Sequence, residues 1–156
     1  MAELLVFVPL FIILPSIAWY RVRVGSFPVS LSATSLYGKF GGYVFGIGCA
    51  IMAACSWLAC ADMVQDELLW LAWLSTASLL FVAANPLKEG VDDTIHMVAA
   101  WVSGIAMTVL SCLISPTSSW VWVLLFGYVF FSRRKCVVLV AELCAVLQFV
   151  LSLFLR

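Results

Sequence analysis

Glu142 is the residue whose position most demands a chemical explanation. It is the one acid well inside a long apolar run, Cys136 to Leu155, where an ionisable group costs about 2.5–3.5 kcal/mol by insertion scales. Six residues past Cys136, it sits roughly 9 Å along a helix, too deep for so short a side chain to reach a surface. It therefore needs a partner, a proton or water. His96 is the single histidine of the chain and opens another apolar run, about 6 Å beyond Asp92 by the same helical rise. A Glu142–His96 pair is thus geometrically allowed. Asp92 and Asp93 precede His96 by four and three residues and so fall near its helical face. Asn85, closing the run before Pro86, and the hydroxyls Ser30 and Ser32 belong to the same level.

Three chemistries compete for these residues. The simplest is an internal hydrogen-bond cluster that fixes helix register. The second is a ligand-binding or proton-coupling site built from His96, Glu142, Asp93, Asn85, Ser30 and Ser32. The third, a catalytic or metal centre, has the weakest support. One histidine falls short of the three protein ligands that a hydrolytic zinc site takes. A Ser32–His96–Asp93 triad can be written down, but any serine-rich loop beside a histidine offers as much. No catalytic residue, metal or cofactor is assigned. Six cysteines, Cys49, Cys55, Cys60, Cys112, Cys136 and Cys144, lie within or at the ends of apolar runs and contain no C-x-x-C pair, so they read as small packing residues. Cys60 and Cys112, both near one end of their helices, could form a single disulfide.

The elements that must position these groups follow from composition. Of 156 residues, 65% are hydrophobic and 10% charged, with a mean hydropathy of +1.17. A soluble domain is about half apolar and about a quarter charged, so an ordinary soluble globule and a disordered chain are both excluded. Eight basic residues balanced by eight acidic ones leave no positive field for nucleic acid. Six runs are candidates to cross a membrane core of roughly 30 Å: Leu4–Tyr20, Phe40–Ala61, Leu68–Ala84, Thr94–Ile114, Ser118–Phe131 and Cys136–Leu155. The expectation is an all-α, six-helix transmembrane bundle forming a single domain over residues 1–156, with minimal loops. The fifth run is the short one, reaching roughly 21 Å, and a re-entrant hairpin is its alternative.

Charge placement favours six crossings. If all six span, Arg21, Arg23, Lys39, Lys88, Arg133, Arg134 and Lys135 share one side and only Arg156 lies opposite. Basic residues in short loops stay in the cytoplasm. The loops 21–39, 85–93 and 132–135 are accordingly expected to be cytoplasmic, both termini outside, and the protein in a plasma membrane, of the bacterial inner-membrane kind. No basic stretch precedes the first run and no small-residue cleavage signal closes it, so it reads as an uncleaved helix. Trp19, Tyr20, Trp70, Trp120 and Trp122 flank run ends as an interfacial belt does, whereas Trp57 and Trp101 are expected in the core.

The second run carries small residues at every fourth position, Gly38, Gly42, Gly46, Ala50 and Ala54. In lipid, close backbone approach drives helix association, so this ladder is expected to be the packing face of the bundle, with a homodimer seam as the alternative. Ala100 and Gly104 form a shorter version on the fourth run, its expected partner.

The segment Pro28-Val29-Ser30-Leu31-Ser32-Ala33-Thr34, with His96-x-x-Ala99-Ala100, resembles the hydroxyl-rich loop and later histidine of six-pass DRAM and FGF-receptor-activating-protein-like membrane proteins, and of small bacterial membrane proteins. The likeness covers these two segments only. The loop lacks the acid expected of that family, and the charge pattern puts it on the opposite face. The resemblance implies a membrane adaptor or lipid-handling role.

Together the residues point to a non-enzymatic multi-pass protein. Its polar cluster, in the cytoplasmic leaflet, would bind a lipid headgroup, small ligand or partner protein. Anionic headgroups are the expected class, drawn by the basic residues beside that leaflet. A proton-coupled carrier or small channel using Glu142 is the runner-up, and an intramembrane hydrolase the third reading. A homo-oligomer or a larger membrane complex is compatible with all three.

Overall fold

The computed structural model describes residues 2–36, 41–85, 93–131 and 136–155. Among these the chain is helical without strands. A short α1 (Ala2–Leu5) leads into α2 (Val8–Val24), followed by α3 (Gly41–Met63), α4 (Leu69–Ala84), α5 (Thr94–Ile114), α6 (Val121–Phe131) and α7 (Val137–Phe154). Five of the helical stretches are long and apolar enough to cross a membrane. Pro116–Phe131 is apolar but shorter; its first residues, Pro116–Trp120, form a 3-10 turn ahead of α6. The helical solution is what an apolar chain requires, because only a helix pairs its own backbone groups without water.

Helix ends explain several departures from the expected boundaries. α2 continues past Tyr20 to Val24, so Arg21 and Arg23 lie in its last turn, not in a loop, where cations complement the helix C-terminus. It stops at Gly25, whose φ of 78° is the left-handed cap conformation that glycine adopts cheaply, and the Gly25 N–H closes on the Arg21 carbonyl at 3.0 Å. The hydroxyl-rich stretch that follows folds inward. Ser32–Leu36 is a 3-10 turn in which Ser32, Ala33, Thr34 and Ser35 are all buried. Its hydroxyls are consumed locally: Ser30 Oγ accepts from the Ala33 N–H, Thr34 donates to the Leu31 carbonyl, and Ser35 donates to the Ser32 carbonyl. Such side-chain bonds replace the backbone partners that a tucked-in turn cannot find in solvent.

Packing is strongest between α4 and α5 and between α3 and α4. At Gly46 the α3 backbone comes so close to α4 that a Cβ would lie 2.7 Å from the Ala83 carbonyl oxygen. The partner of the small-residue run is thus α4, not the helix carrying Gly104, beside which a Cβ would meet nothing within 4 Å. Gly42, Gly46 and Ala50 are half-buried and Ala54 is exposed, while the most buried α3 residues are Cys49, Met52, Ala53, Ser56, Ala59 and Cys60. Gly38 lies outside the described residues, as do Asp92, Lys39, Lys88, Arg133, Arg134, Lys135 and Arg156 of the charge pattern. Ser75 and Ser103 clasp α4 to α5, each hydroxyl reaching the other residue's carbonyl, at 3.2 and 3.0 Å.

Two apolar cores stack along the bundle. One, around Val6, Ala59, Leu71, Leu110, Phe149 and Leu153, ties α1 to the last turns of α7, and the Phe7 and Phe154 rings meet there at 5.2 Å. The other, around Ile13, Cys49, Val82, Ala99 and Leu139, lies toward the end where the Ser32–Leu36 turn sits. Trp101 is 63% exposed on the outer face of α5, contrary to its expected place in the core, while Trp57 packs partly buried against the first core. Cys60 and Cys112 are both free thiols, and no disulfide forms among the described residues. Cys112 instead bonds to Gln148 and Ser119.

Candidate functional site

Between α2, α3, α4, α5 and α7 the helices leave a cavity of about 660 Å³, within the range of roughly 300–1,000 Å³ typical of small-molecule sites. Its walls come from faces spaced as helices require. On α2 the lining runs Pro9, Ile12, Ile13, Ser16 and Trp19; on α7 it runs Glu142, Ala145, Val146 and Phe149, the three-and-four spacing of a single stripe. Two local features mark the α2 wall. Pro15, also on the wall, has no N–H to give the carbonyl four residues back, and Ser16 turns its hydroxyl to the Ile12 carbonyl at 2.7 Å. Across the cavity, Gly48 permits α3 to approach α2, since a Cβ there would stand 3.2 Å from Ile12 Cγ2.

The cavity is apolar along most of its length and polar at the end closed by the Ser32–Leu36 turn. Ser32, Thr34, His96 and Glu142 border it there. Glu142 holds the turn in place: its Oε2 accepts the Leu31 N–H at 2.6 Å. Two residues away, the Val29 carbonyl accepts the Leu139 N–H at 3.1 Å, an amide in the first turn of α7 with no partner inside its own helix. The segment Val29–Leu31 is thus bonded twice across the start of α7. Oε1 of Glu142 has no hydrogen-bond partner among the described residues and is not among the sealed polar atoms, and Glu142 lines the cavity.

His96 is 2% exposed, with the Phe45 ring 6.2 Å away. Its Nδ1 lies 2.7 Å from the Asn85 backbone carbonyl. A carbonyl oxygen only accepts, so Nδ1 carries the hydrogen, and in the neutral ring Nε2 is a bare acceptor. Nε2 is buried and has no partner. An orphaned buried polar atom costs of order 1–3 kcal/mol, and such exceptions in a native fold call for a specific explanation. The Ser56 hydroxyl, bordering the far part of the cavity, is likewise unpartnered. Its case is weaker, because a helical serine can rotate onto a carbonyl of its own helix, whereas the imidazole is fixed by its Nδ1 bond.

The expected site residues are therefore sorted by the fold. His96, Glu142 and Ser32 share the cavity, but Glu142 pairs with the Leu31 backbone and not with His96. Ser30 caps the turn and bonds Ser32 Oγ at 3.0 Å without bordering the cavity. Asn85 contributes its main-chain oxygen; its exposed side chain bonds back to the Phe81 carbonyl. Asp93 stands at the start of α5 and makes no side-chain cap bond, away from the cavity lining. Thr34, Ser56 and Ser103 border the cavity as well, and the only sequence signal for the last two is a hydroxyl inside an apolar run.

No arginine or lysine lines the cavity among the described residues. Arg21 is exposed, its guanidinium 5.3 Å above the Phe27 ring. No group of three metal-ligating side chains occurs among the described residues either. Comparison with known proteins gives no match, whether to family models, to curated proteins or to solved structures, and so lends no support to the likeness drawn from the Pro28–Thr34 segment.

Proposed function

We propose that this chain is an integral membrane protein that binds a small apolar-tailed molecule in the cavity between α2, α3, α4, α5 and α7. The observation that carries this reading is a cavity apolar along most of its length whose polar end holds an orphaned His96 Nε2 and the Glu142 carboxyl. An apolar chain seated there would pack against these walls, and an unpaired imidazole nitrogen carries a penalty that a polar partner removes. A ligand with an apolar tail and a polar end would do both. The protein's role would then be to hold, present or sense that molecule, not to transform it.

Orientation belongs to the same proposal. We read all six apolar stretches as crossing, with the Ser32–Leu36 turn toward the cytoplasm and both termini outside. The 3-10 turn from Pro116 adds about 10 Å to the roughly 16 Å of α6, which supports a crossing by the fifth stretch. Accessibility of single cysteines at positions 26 and 66 to an impermeant thiol reagent, in a background without the native cysteines, reads the sidedness.

Occupancy is read by native mass spectrometry of the protein released from lipid nanodiscs. Gly104 borders the cavity and leaves open space for a side chain, so Gly104→Leu fills the site from within without a backbone clash. A bound mass present in the wild type and lost in Gly104→Leu, at an unchanged Tm, is the expected result. Equal bound mass in the two proteins would remove the basis for this reading.

A proton-coupled carrier is the second reading, favoured by the unpaired Oε1 of Glu142 on the cavity wall. It requires proton flux into liposomes that disappears in Glu142→Gln, while simple ligand binding gives no flux in either protein.

A further inference from the structure

The reading of the cavity as a ligand site can be taken further, to the chemistry of the ligand's head. We infer that the occupant is a single-chain amphipath whose head donates hydrogen bonds, a hydroxyl or an ammonium group, and not an anionic lipid. This rests on the proposed site; its test separates the two.

Three observations bear on the head. First, two unpartnered atoms at the closed end, His96 Nε2 and Glu142 Oε1, accept hydrogen bonds when the ring is neutral and the carboxyl ionised. His96 Nε2 is an acceptor in the neutral ring because Nδ1 is committed to the Asn85 carbonyl, and Glu142 Oε1 is a carboxyl oxygen without a partner. Second, most hydroxyls on the lining are engaged: Thr34 gives its hydrogen to the Leu31 carbonyl, Ser16 to the Ile12 carbonyl and Ser103 to Ser75, Ser32 bonds the Ser30 hydroxyl, and Ser56, toward the far part, has no partner. Third, the described lining holds one carboxyl group and no arginine or lysine. A phosphate or carboxylate would enter beside Glu142 with no counter-charge, and an unpaired charge in an apolar site is strongly disfavoured. Among the described residues, the basic side chains that suggested anionic headgroups, Arg21 and Arg23, are exposed and outside the lining.

The tail follows from the walls. From His96 to Met107 the α5 face extends about 16 Å, past Phe45, Met52, Val146 and Phe149, all apolar. A volume of about 660 Å³ suits one chain and is too small to enclose a two-chain phospholipid. A methionine on each of α3 and α5 gives the wall an adaptable surface.

The test uses three photoreactive probes with the same diazirine-bearing dodecyl chain and different heads: an alcohol, a primary amine and a carboxylate. Each is cross-linked to the full-length protein in nanodiscs, and labelled peptides are located by mass spectrometry. Alcohol and amine are expected to label the cavity residues of α3, α5 and α7 at least fivefold more than the carboxylate. Amine alone would assign the selectivity to the charge of Glu142; alcohol and amine together assign it to hydrogen bonding. In Glu142→Gln the amide oxygen can still accept the Leu31 N–H, which turns an NH₂ donor toward the cavity, so preference should move toward the carboxylate. His96→Phe should reduce alcohol and amine labelling at least threefold while leaving the carboxylate unchanged. Equal or stronger carboxylate labelling in the wild type would overturn the head assignment and leave the ligand site standing. Absence of cavity labelling by all three probes would overturn both.

Discussion

Gln148 and Glu142 lie six residues apart on α7, and their surroundings treat a polar side chain inside an apolar bundle in opposite ways. Gln148 is completely buried and well paired. Its Oε1 accepts from Trp122 Nε1 at 2.6 Å, and its Nε2 donates to Cys112 Sγ at 3.2 Å and to Ser119 Oγ at 3.3 Å. One amide thereby joins α7 to α5, to the Pro116–Trp120 turn and to α6, with both donor hydrogens used. Around Glu142 the pairing is incomplete: one oxygen is bonded, the other is open, and the neighbouring His96 has an orphaned nitrogen. The first cluster has no vacancy for a ligand, and the second has two. Burial of a polar residue in a membrane helix is therefore not by itself a sign of a site. The sign is burial with unmet bonding capacity beside unfilled space.

This contrast can be broken from either side. The largest effect should come from the paired cluster. Gln148→Ala removes a packed side chain and strands the Trp122 donor, and should lower the unfolding free energy by about 2–3 kcal/mol, measured by denaturant or thermal unfolding in a fixed detergent. Ligand content per folded molecule should stay the same, because Gln148 does not border the cavity. A wild-type Tm in Gln148→Ala would show that the cluster does not hold the bundle together.

An intermediate effect is expected at Glu142, where two substitutions separate its structural bond from its chemistry. Glu142→Ala leaves the Leu31 N–H without an acceptor and should cost about 1–2 kcal/mol, with faster hydrogen exchange at Leu31. Glu142→Gln keeps an acceptor oxygen and should remain within about 0.5 kcal/mol of the wild type. If the glutamine variant were as unstable as the alanine one, the clamp would depend on charge and not on the bond seen here.

The smallest effect belongs to Ser56, and its sign is the informative part. Replacing an unpartnered buried hydroxyl by hydrogen removes a desolvated group and no hydrogen bond, so Ser56→Ala should leave the unliganded protein unchanged or stabilise it by up to about 1 kcal/mol. A loss of stability would reveal that this hydroxyl bonds within its own helix, and would restrict the unmet capacity to the His96–Glu142 end.

The apolar lengths, read with the need to pair backbone groups without water, locate the helices to within a few residues. The Thr94–Ile114 helix coincides with its apolar run. The greatest departures occur where local chemistry, not hydrophobicity, sets a boundary: α2 runs on to the Gly25 cap, and the hydroxyl-rich stretch coils into a buried turn because its side chains satisfy its own backbone. The cavity pair was legible in part. Glu142 and His96 stand out as the lone acid within a run and the lone histidine, but their pairing with each other is replaced by bonds to main-chain atoms. Gln148 carries no formal charge, so a search for charges in apolar runs passes over it.

What the sequence by itself determined is the class of object: an all-helical chain whose apolar runs suit a membrane, with few polar groups that each require a partner. What only the tertiary structure decided is who those partners are. The Leu31 N–H and the Asn85 carbonyl belong to the backbone that every residue shares, so no side-chain type could announce them. Ser103 on α5 and Ser56 on α3 are the same amino acid inside apolar helices, yet the first bonds a serine on α4 and the second has no hydrogen-bond partner. The cavity, too, is a matter of where helices fail to meet, while α3 and α4 approach closely at Gly46. Unmet bonding and empty space are properties of an arrangement, and no single residue carries them.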